Sequence, residues 1–337
     1  MQFPFGGKPP LGVVYDSALG SDIGDVLAMA LLYGFDGKNE ARVVALSTTK
    51  HNLKSAAFAD LVARFYAGAA DGSFGFSGRA LPVGLATTGI MPEDTPMLAA
   101  PLSRPTYSHG VRELNDTSEP AAMIRNAYTS QQDGNCVSVL TGPATNFAAV
   151  LGVAGAKDWI ERKSKLLVVG ASPAAMRADL KAARKLFAEW PGQVVFAGPE
   201  VGEVLPFPGA AIEKDFAWAP AHPVVDAYRA FKAMPYDAPA SAMAAMLYAV
   251  KPNDKYFQLS SAGTLSVGDD GVVGLAPGAG RHQLLVVDPG QKERVVKTYV
   301  EVASAKPVPR VRRFRPPVKN QTPPAKPPET PPRPSTP

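Results

Sequence analysis

The stretch YDSALGSDIGDVLAM, Tyr15 to Met29, carries three aspartates, Asp16, Asp22 and Asp25, separated by small residues. It begins at the end of a β-branched run, LGVVY. Carboxylates gathered at a strand end can hold a hard divalent cation, which takes about six to eight oxygen ligands, or can move protons. The plainer alternative is helix capping, with Asp22 or Asp25 accepting from the first N–H groups of a following helix. Capping accounts for one acid well. It does not account for Asp16 on the strand end itself.

Three other polar clusters have a comparable placement. STTKHN, Ser47 to Asn52, offers Asn52 as a partner for sugar hydroxyls, although by itself it is also an ordinary helix-opening loop. LTGPATNFAAVL, Leu140 to Leu151, combines a strand end, a Gly-Pro turn and a helix, and would project the Thr141 carbonyl. MPYDAPASAMAAML, Met234 to Leu247, puts Tyr236 and Asp237 before an apolar helix, where Asp237 is either a cap or a distant acid that closes a site. His109, in YSHGVREL, sits in a polar loop that could face a pocket. The four histidines show no metal-ligand spacing. Nucleophile-elbow, phosphate-loop and dinucleotide fingerprints are absent, so acyl transfer, nucleotide hydrolysis and dinucleotide chemistry have no support.

The elements that must position these residues alternate along the chain. Strand-like runs occupy Leu11–Tyr15, Ala41–Thr48, Ala80–Leu85, Val137–Gly142, Lys165–Gly170 and Gln193–Gly198. Helical patterns lie at Asp25–Leu32, Ser55–Ala67, Pro120–Thr129, Asn146–Val153 and Ala174–Trp190. Such alternation predicts an α/β fold with a mainly parallel sheet flanked by helices. Ligands in these sheets bind beyond the carboxyl ends of the strands, which collects Asp16, Thr49 to Asn52 and Thr141 to Asn146 on one rim. After Asp215 the pattern predicts short helices at Asp226–Met234 and Ser241–Val250. A small antiparallel addition follows, from Tyr256–Ser260, Gly271–Gly274, His282–Val287 and Val295–Val302, with GDDG at Gly268 to Gly271 as a turn. One folded domain over residues 1–305 is expected. From Lys306 the chain is Pro-rich and basic, which predicts a disordered tail over residues 306–337 able to dock a protein partner.

The bulk numbers set limits on function. The 337 residues include a single cysteine, Cys136, which excludes a disulfide framework and a cysteine-based zinc site. The net charge of +5 owes much to Arg310, Arg312, Arg313 and Arg315, so no nucleic-acid surface is expected on the body. The N-terminus lacks the charged and apolar regions of a signal peptide, and no apolar run approaches a membrane span of about 20 residues. A soluble cytoplasmic protein with no membrane partner is the expectation.

Taken in order, these pieces resemble the inosine/uridine-preferring nucleoside hydrolases over roughly Leu11 to Asp288. The family's opening motif, in one common form D-T-D-x-G-x-D-x-D-D-A, is matched by D-S-A-L-G-S-D-I-G-D-V. STTKHN, LPVGLATTG, Ser108-His109-Gly110, NDTSEPAAMI, TGPATNFAAVL and Tyr236-Asp237-Ala238-Pro239 match later motifs. The resemblance implies hydrolysis of the N-glycosidic bond of a ribonucleoside, or a related N-riboside, to ribose and free base. It implies a calcium ion that binds the ribose diol and the attacking water, and an oxocarbenium-like transition state. Carried over by position, Asp25, Asp237 and the Thr141 carbonyl would be calcium ligands. Asn52 would contact ribose hydroxyls, with His109 and Tyr236 beside the substrate. Asp16 would be a supporting acid. Relatives of this type often associate, so a homo-oligomer is compatible.

The departures are as informative. The family's base and calcium ligand in the third motif position is Ala18, and the acid before Asp25 is Gly24. The usual His before the last Asp is Tyr236, and the sugar-binding elements expected after KLLVVG are missing. Loss of a general base alone costs about 10²–10⁴-fold in rate. Three readings therefore stand: an N-glycosidase in which Asp22 or Asp16 substitutes for the missing acid, a catalytically impaired relative that binds a nucleoside or sugar or acts as an interaction protein, and an unrelated α/β domain whose acids are caps. The ordered match of several motifs disfavours the third.

Overall fold

The computed structural model describes residues 9–67 and 81–307. The tail expected from residue 306 therefore lies almost wholly outside the described residues. The chain runs β1 (Leu11–Ser17), α1 (Ile23–Gly37), β2 (Ala41–Thr48), α2 (Leu53–Tyr66), β3 (Val83–Leu85), α3 (Pro96–Leu102), α4 (Pro120–Ser130), β4 (Cys136–Leu140), α5 (Thr145–Val150), α6 (Ala156–Lys163) and β5 (Ser164–Val169). It continues through α7 (Pro173–Ala178), α8 (Leu180–Glu189), β6 (Val194–Phe196), α9 (Pro199–Val204), α10 (Gly209–Lys214), α11 (Pro223–Phe231) and α12 (Ser241–Val250). Then come β7 (Phe257–Leu259), β8 (Gly263–Val267), β9 (Val273–Pro277), β10 (His282–Val287) and α13 (Lys292–Ala303).

The strands form one sheet in the order β3-β2-β1-β4-β5-β6-β10-β8-β9, with β7 paired to β10. From β3 to β10 every pairing is parallel; β8, β9 and β7 add the antiparallel part. The central strands are β-branched and buried along nearly their whole length, as strands covered on both faces must be. Two apolar clusters, one on each face, make the core. The strand order reverses between β1 and β4, and that crevice receives Asp16 from β1 and Thr141 just beyond β4.

Helix α12 is apolar all round and nine of its residues are buried, so it is a core helix. It packs on α1, on α9 and over the ends of β4 and β5. It comes close at Gly170, just after β5, where a Cβ would lie 2.8 Å from Ala245 Cβ and 2.9 Å from the Ser241 carbonyl oxygen, and closer still at Gly202 of α9, where a Cβ would lie 2.5 Å from the Ser241 nitrogen. No helix among the described residues is long and apolar enough to cross a membrane.

Three expectations need correction. Val295–Val302 is part of helix α13: Val295, Tyr299 and Val302 recur at helical spacing and form its buried stripe, which outweighs the β-branched composition. Ala174–Trp190 is two helices broken at Asp179, whose side chain caps α8 by accepting from the Ala182 N–H. The antiparallel pair around GDDG is β8 with β9, so the strand after the turn runs Val273–Pro277 and its partner β8 went unforeseen.

Candidate active site

Asp16 ends up at the bottom of the rim. The side chain is fully buried; its Oδ1 accepts from Ser47 Oγ at 2.6 Å and Asn146 Nδ2 at 2.8 Å, while Oδ2 has no protein partner. Ser47 is its register neighbour on β2, and Asn146 comes from α5. Burial pushes the carboxyl up to about 7, against the pull of these two hydrogen bonds. Asp16 is thus an acid divided between its two forms near neutral pH.

Asp25 lies in the first turn of α1, also buried. Burial first, then the charges of Asp22 and Asp16, raise its carboxyl well above the usual range, opposed by the Thr141 hydroxyl. The Tyr15 hydroxyl donates to the Asp25 carbonyl at 2.9 Å and lies 3.1 Å from Thr141 Oγ1, tying β1, α1 and the β4 turn together. Asp22 is the N-cap of α1 and accepts from the Gly24 N–H at 2.6 Å. Surrounding protein atoms push its carboxyl upward. Its side chain is nevertheless exposed, and access to water limits that push.

The other anticipated residues have other employment. Asn52 caps α2 through Oδ1, and its amide donates to the carbonyls of Pro92 at 3.0 Å and Glu93 at 3.3 Å. Asp237 is exposed and accepts from the Gly209 N–H at the start of α10, at 2.8 Å. Tyr236 stacks on Tyr228 with ring centroids 4.4 Å apart, and each hydroxyl donates to the other's backbone carbonyl. Asp22 is close enough to push the Tyr236 phenol upward, after burial and Tyr228. His109 Nδ1 lies 2.9 Å from the Val111 carbonyl, in the loop whose Gly110 N–H donates to Asp60. The structure therefore unites Asp16, Asp22, Asp25 and Thr141, sets Tyr236 beside Asp22, and leaves Asn52 and His109 in separate loops. Sequence reasoning missed Ser47 and Tyr15; the alternation of β1 and β2 opposite Asp16 was the available signal.

The donor set does not fit the calcium ion that the resemblance implies. Among the described residues no three His, Cys, Asp or Glu side chains converge as metal ligands. Ala18 supplies no donor and is buried against the rim, where Gly142 presses so closely that its Cβ would fall 2.4 Å from the Ala18 nitrogen. At Gly24 a Cβ would stand 3.0 Å from Asp22 Oδ1, 3.4 Å from the Pro239 carbonyl and 3.7 Å from Ala242 Cβ. The space an acid would need at that position faces the start of α12. Asp237 is turned to Gly209.

No family model and no curated protein matches the sequence. Solved structures do. A plant nucleoside hydrolase, the PpNRh1 enzyme, superposes with a TM-score of 0.64 at 18% identity, covering 88% of this chain and 100% of that one. A purine-preferring ribonucleoside hydrolase from Gardnerella vaginalis gives 0.64 at 17%, covering 87% and 98%. An inosine-uridine preferring nucleoside hydrolase from Bacillus anthracis gives 0.62 at 12%, covering 87% and 99%. At such identities the likeness is one of fold.

Proposed function

We propose that this nucleoside hydrolase-like chain is a catalytically impaired relative of the N-ribohydrolases, retaining the scaffold to bind a nucleoside or related N-riboside, or to act as an interaction protein. The observation that carries this reading is the absence of an acid at positions 18 and 24. Ala18 is buried and offers no side-chain oxygen, and at Gly24 an added side chain would start 3.0 Å from the Asp22 carboxylate. Buried Asp25, its carboxyl raised well above the usual range, is poorly suited to stabilise a cationic sugar.

The competing reading is hydrolysis of an N-glycosidic bond by a calcium-bound water. It is supported by the fold and by the survival of Asp16, Asp22, Asp25 and Thr141 around the expected strand ends. One assay separates the two. The protein is incubated with inosine, uridine, adenosine and other ribonucleosides, with and without Ca²⁺, and scored for reducing sugar beside an active control. No sugar release and no Ca²⁺-dependent thermal stabilisation are expected. Sugar release that depends on Ca²⁺ and is abolished in Asp25→Asn would establish the hydrolase reading instead.

A further inference from the structure

Helices α3 and α11 lead away from the rim to a second concave place. Helix α3 begins beside the rim, where Thr95 Oγ1 donates to the Gly20 carbonyl at 2.9 Å, and Arg104 follows its other end. Helix α11 begins after His222 and finishes at Phe231, whose ring lies against Tyr236 beside Asp22. A cavity of about 240 Å³ is lined by α10, the start of α11 and Arg104. The length of α11, roughly 14 Å at 1.5 Å per residue, separates it from the Tyr236 end.

The charged groups of this cavity are paired with one another. Asp226 Oδ1 accepts from Arg104 Nη2 at 2.7 Å, and Oδ2 accepts from the Tyr107 hydroxyl at 2.6 Å. Glu213 accepts from Arg229 Nε at 3.1 Å and Nη2 at 2.5 Å. Every carboxylate oxygen therefore has a partner, but the guanidinium donors, five to each arginine, are not used up. Nε and Nη1 of Arg104 and Nη1 of Arg229 bond to nothing among the described residues. His222, 2% exposed, also lines the cavity. Burial keeps its ring neutral, lowering the imidazole to about 3. Nδ1 accepts from the Val224 N–H at 3.3 Å, so the proton sits on Nε2, and that buried donor has no partner. A buried donor without an acceptor is costly to a fold that gains nothing from it.

The unpartnered polar atoms here are thus all donors, and a ligand answers them with acceptors. The positive end of the nine-residue helix α11 adds to the pull on a negative charge, while Glu213 and Asp226 oppose a second one. Ile212, Phe216 and Val225 add apolar surface. We infer that the cavity between α10 and α11 binds a small monocarboxylate, its charged end taken by Arg104, Arg229 and His222 Nε2 and its hydrocarbon body set against Ile212, Phe216 and Val225. Pockets for drug-sized ligands run to about 300–1,000 Å³, so the occupant is smaller, of about the size of benzoate. The site is separate from the rim and does not depend on what the rim binds.

Titration calorimetry and saturation-transfer NMR on the full chain, in a buffer free of carboxylates, test the assignment with benzoate, benzamide, benzylamine and phthalate. Benzoate is expected to bind at least tenfold more tightly than the neutral amide, the cation or the dianion. Arg229→Gln, at a half-exposed position, should weaken benzoate about tenfold. His222→Phe keeps an aromatic ring among Phe65, Phe216 and Trp218 and should weaken it similarly by removing the Nε2 donor. Asp22→Asn, on the rim, should leave benzoate binding unchanged. Absence of benzoate binding at millimolar concentration overturns the inference, as does benzamide binding equally well. Benzoate affinity that is unmoved by either cavity substitution in natively folded protein also overturns it, and a loss in Asp22→Asn would place the ligand on the rim instead.

Discussion

Asp16→Asn tests whether the rim stores an acid against its preference for water. In the unfolded chain an aspartate titrates near 3.9, and in the fold Asp16 titrates at about 7. Because the folded value is raised, the folded protein holds more protons than the unfolded chain between these limits. Stability therefore falls as pH rises through them. Integrated from pH 5 to pH 8, Asp16 alone removes about 3 kcal/mol. Asparagine has no such titration. Its oxygen can keep the bonds from Ser47 and Asn146, while its NH₂ takes the unpartnered Oδ2 position at a cost of about 1–3 kcal/mol at every pH. The variant should be no more stable than wild type at pH 5 and more stable at pH 8. Urea denaturation of both proteins across this range measures the difference curve, on which effects common to both cancel. Parallel curves, with no change of their separation between pH 5 and pH 8, would show that Asp16 is ionised and satisfied in the fold and would refute the reasoning.

Three further outcomes are expected. Gly142→Ala forces a Cβ into the Ser17–Ala18 backbone and should cost about 2–3 kcal/mol in chemical denaturation. His222 is buried among Phe65, Tyr66, Phe216 and Trp218, and burial lowers its imidazole to about 3. The unfolded chain therefore takes up its proton first, and stability attributable to His222 is lost as pH falls below about 6.5. His222→Gln should flatten that acid limb in thermal melts between pH 7 and pH 5. Replacing both Ala18 and Gly24 with Asp should destabilise the protein without restoring ribose release, as read by melting temperature and a reducing-sugar assay, because both positions are buried and each new carboxylate would be desolvated.

The parallel half of the sheet was legible because β1, β2, β4 and β5 are long β-branched runs punctuated by turn residues, and strand polarity then placed Asp16 and Thr141 on one rim. Helix α13 was misread because its valines suit a strand locally, and the helical spacing of Val295, Tyr299 and Val302 was passed over in favour of that composition. The acid cluster was legible for the same reason as the sheet. What the sequence could not disclose was occupancy of space: nothing in ASAMAAML says that these small side chains lie on Gly170 and near Gly24. Asn52 shows the same limit. Its position after β2 suggested a ligand contact, and its actual partners lie some forty residues away in a loop with no recognisable pattern.

Helix α12 also dictates when this rim can come into being. The acids of β1 and α1 are made before the helix that packs on α1, which lies more than two hundred positions later in the chain. Until residues 241–250 emerge, Gly170 and the start of α1 have no cover there, and the apolar face of α1 lacks one of its main neighbours. A nascent or truncated chain ending before α12 would present a sticky, half-built edge in place of a sealed one. Helix α12 thus completes the packing of α1, so that a chain cut before Ser241 should expose the apolar face of α1 and aggregate, as light scattering would show.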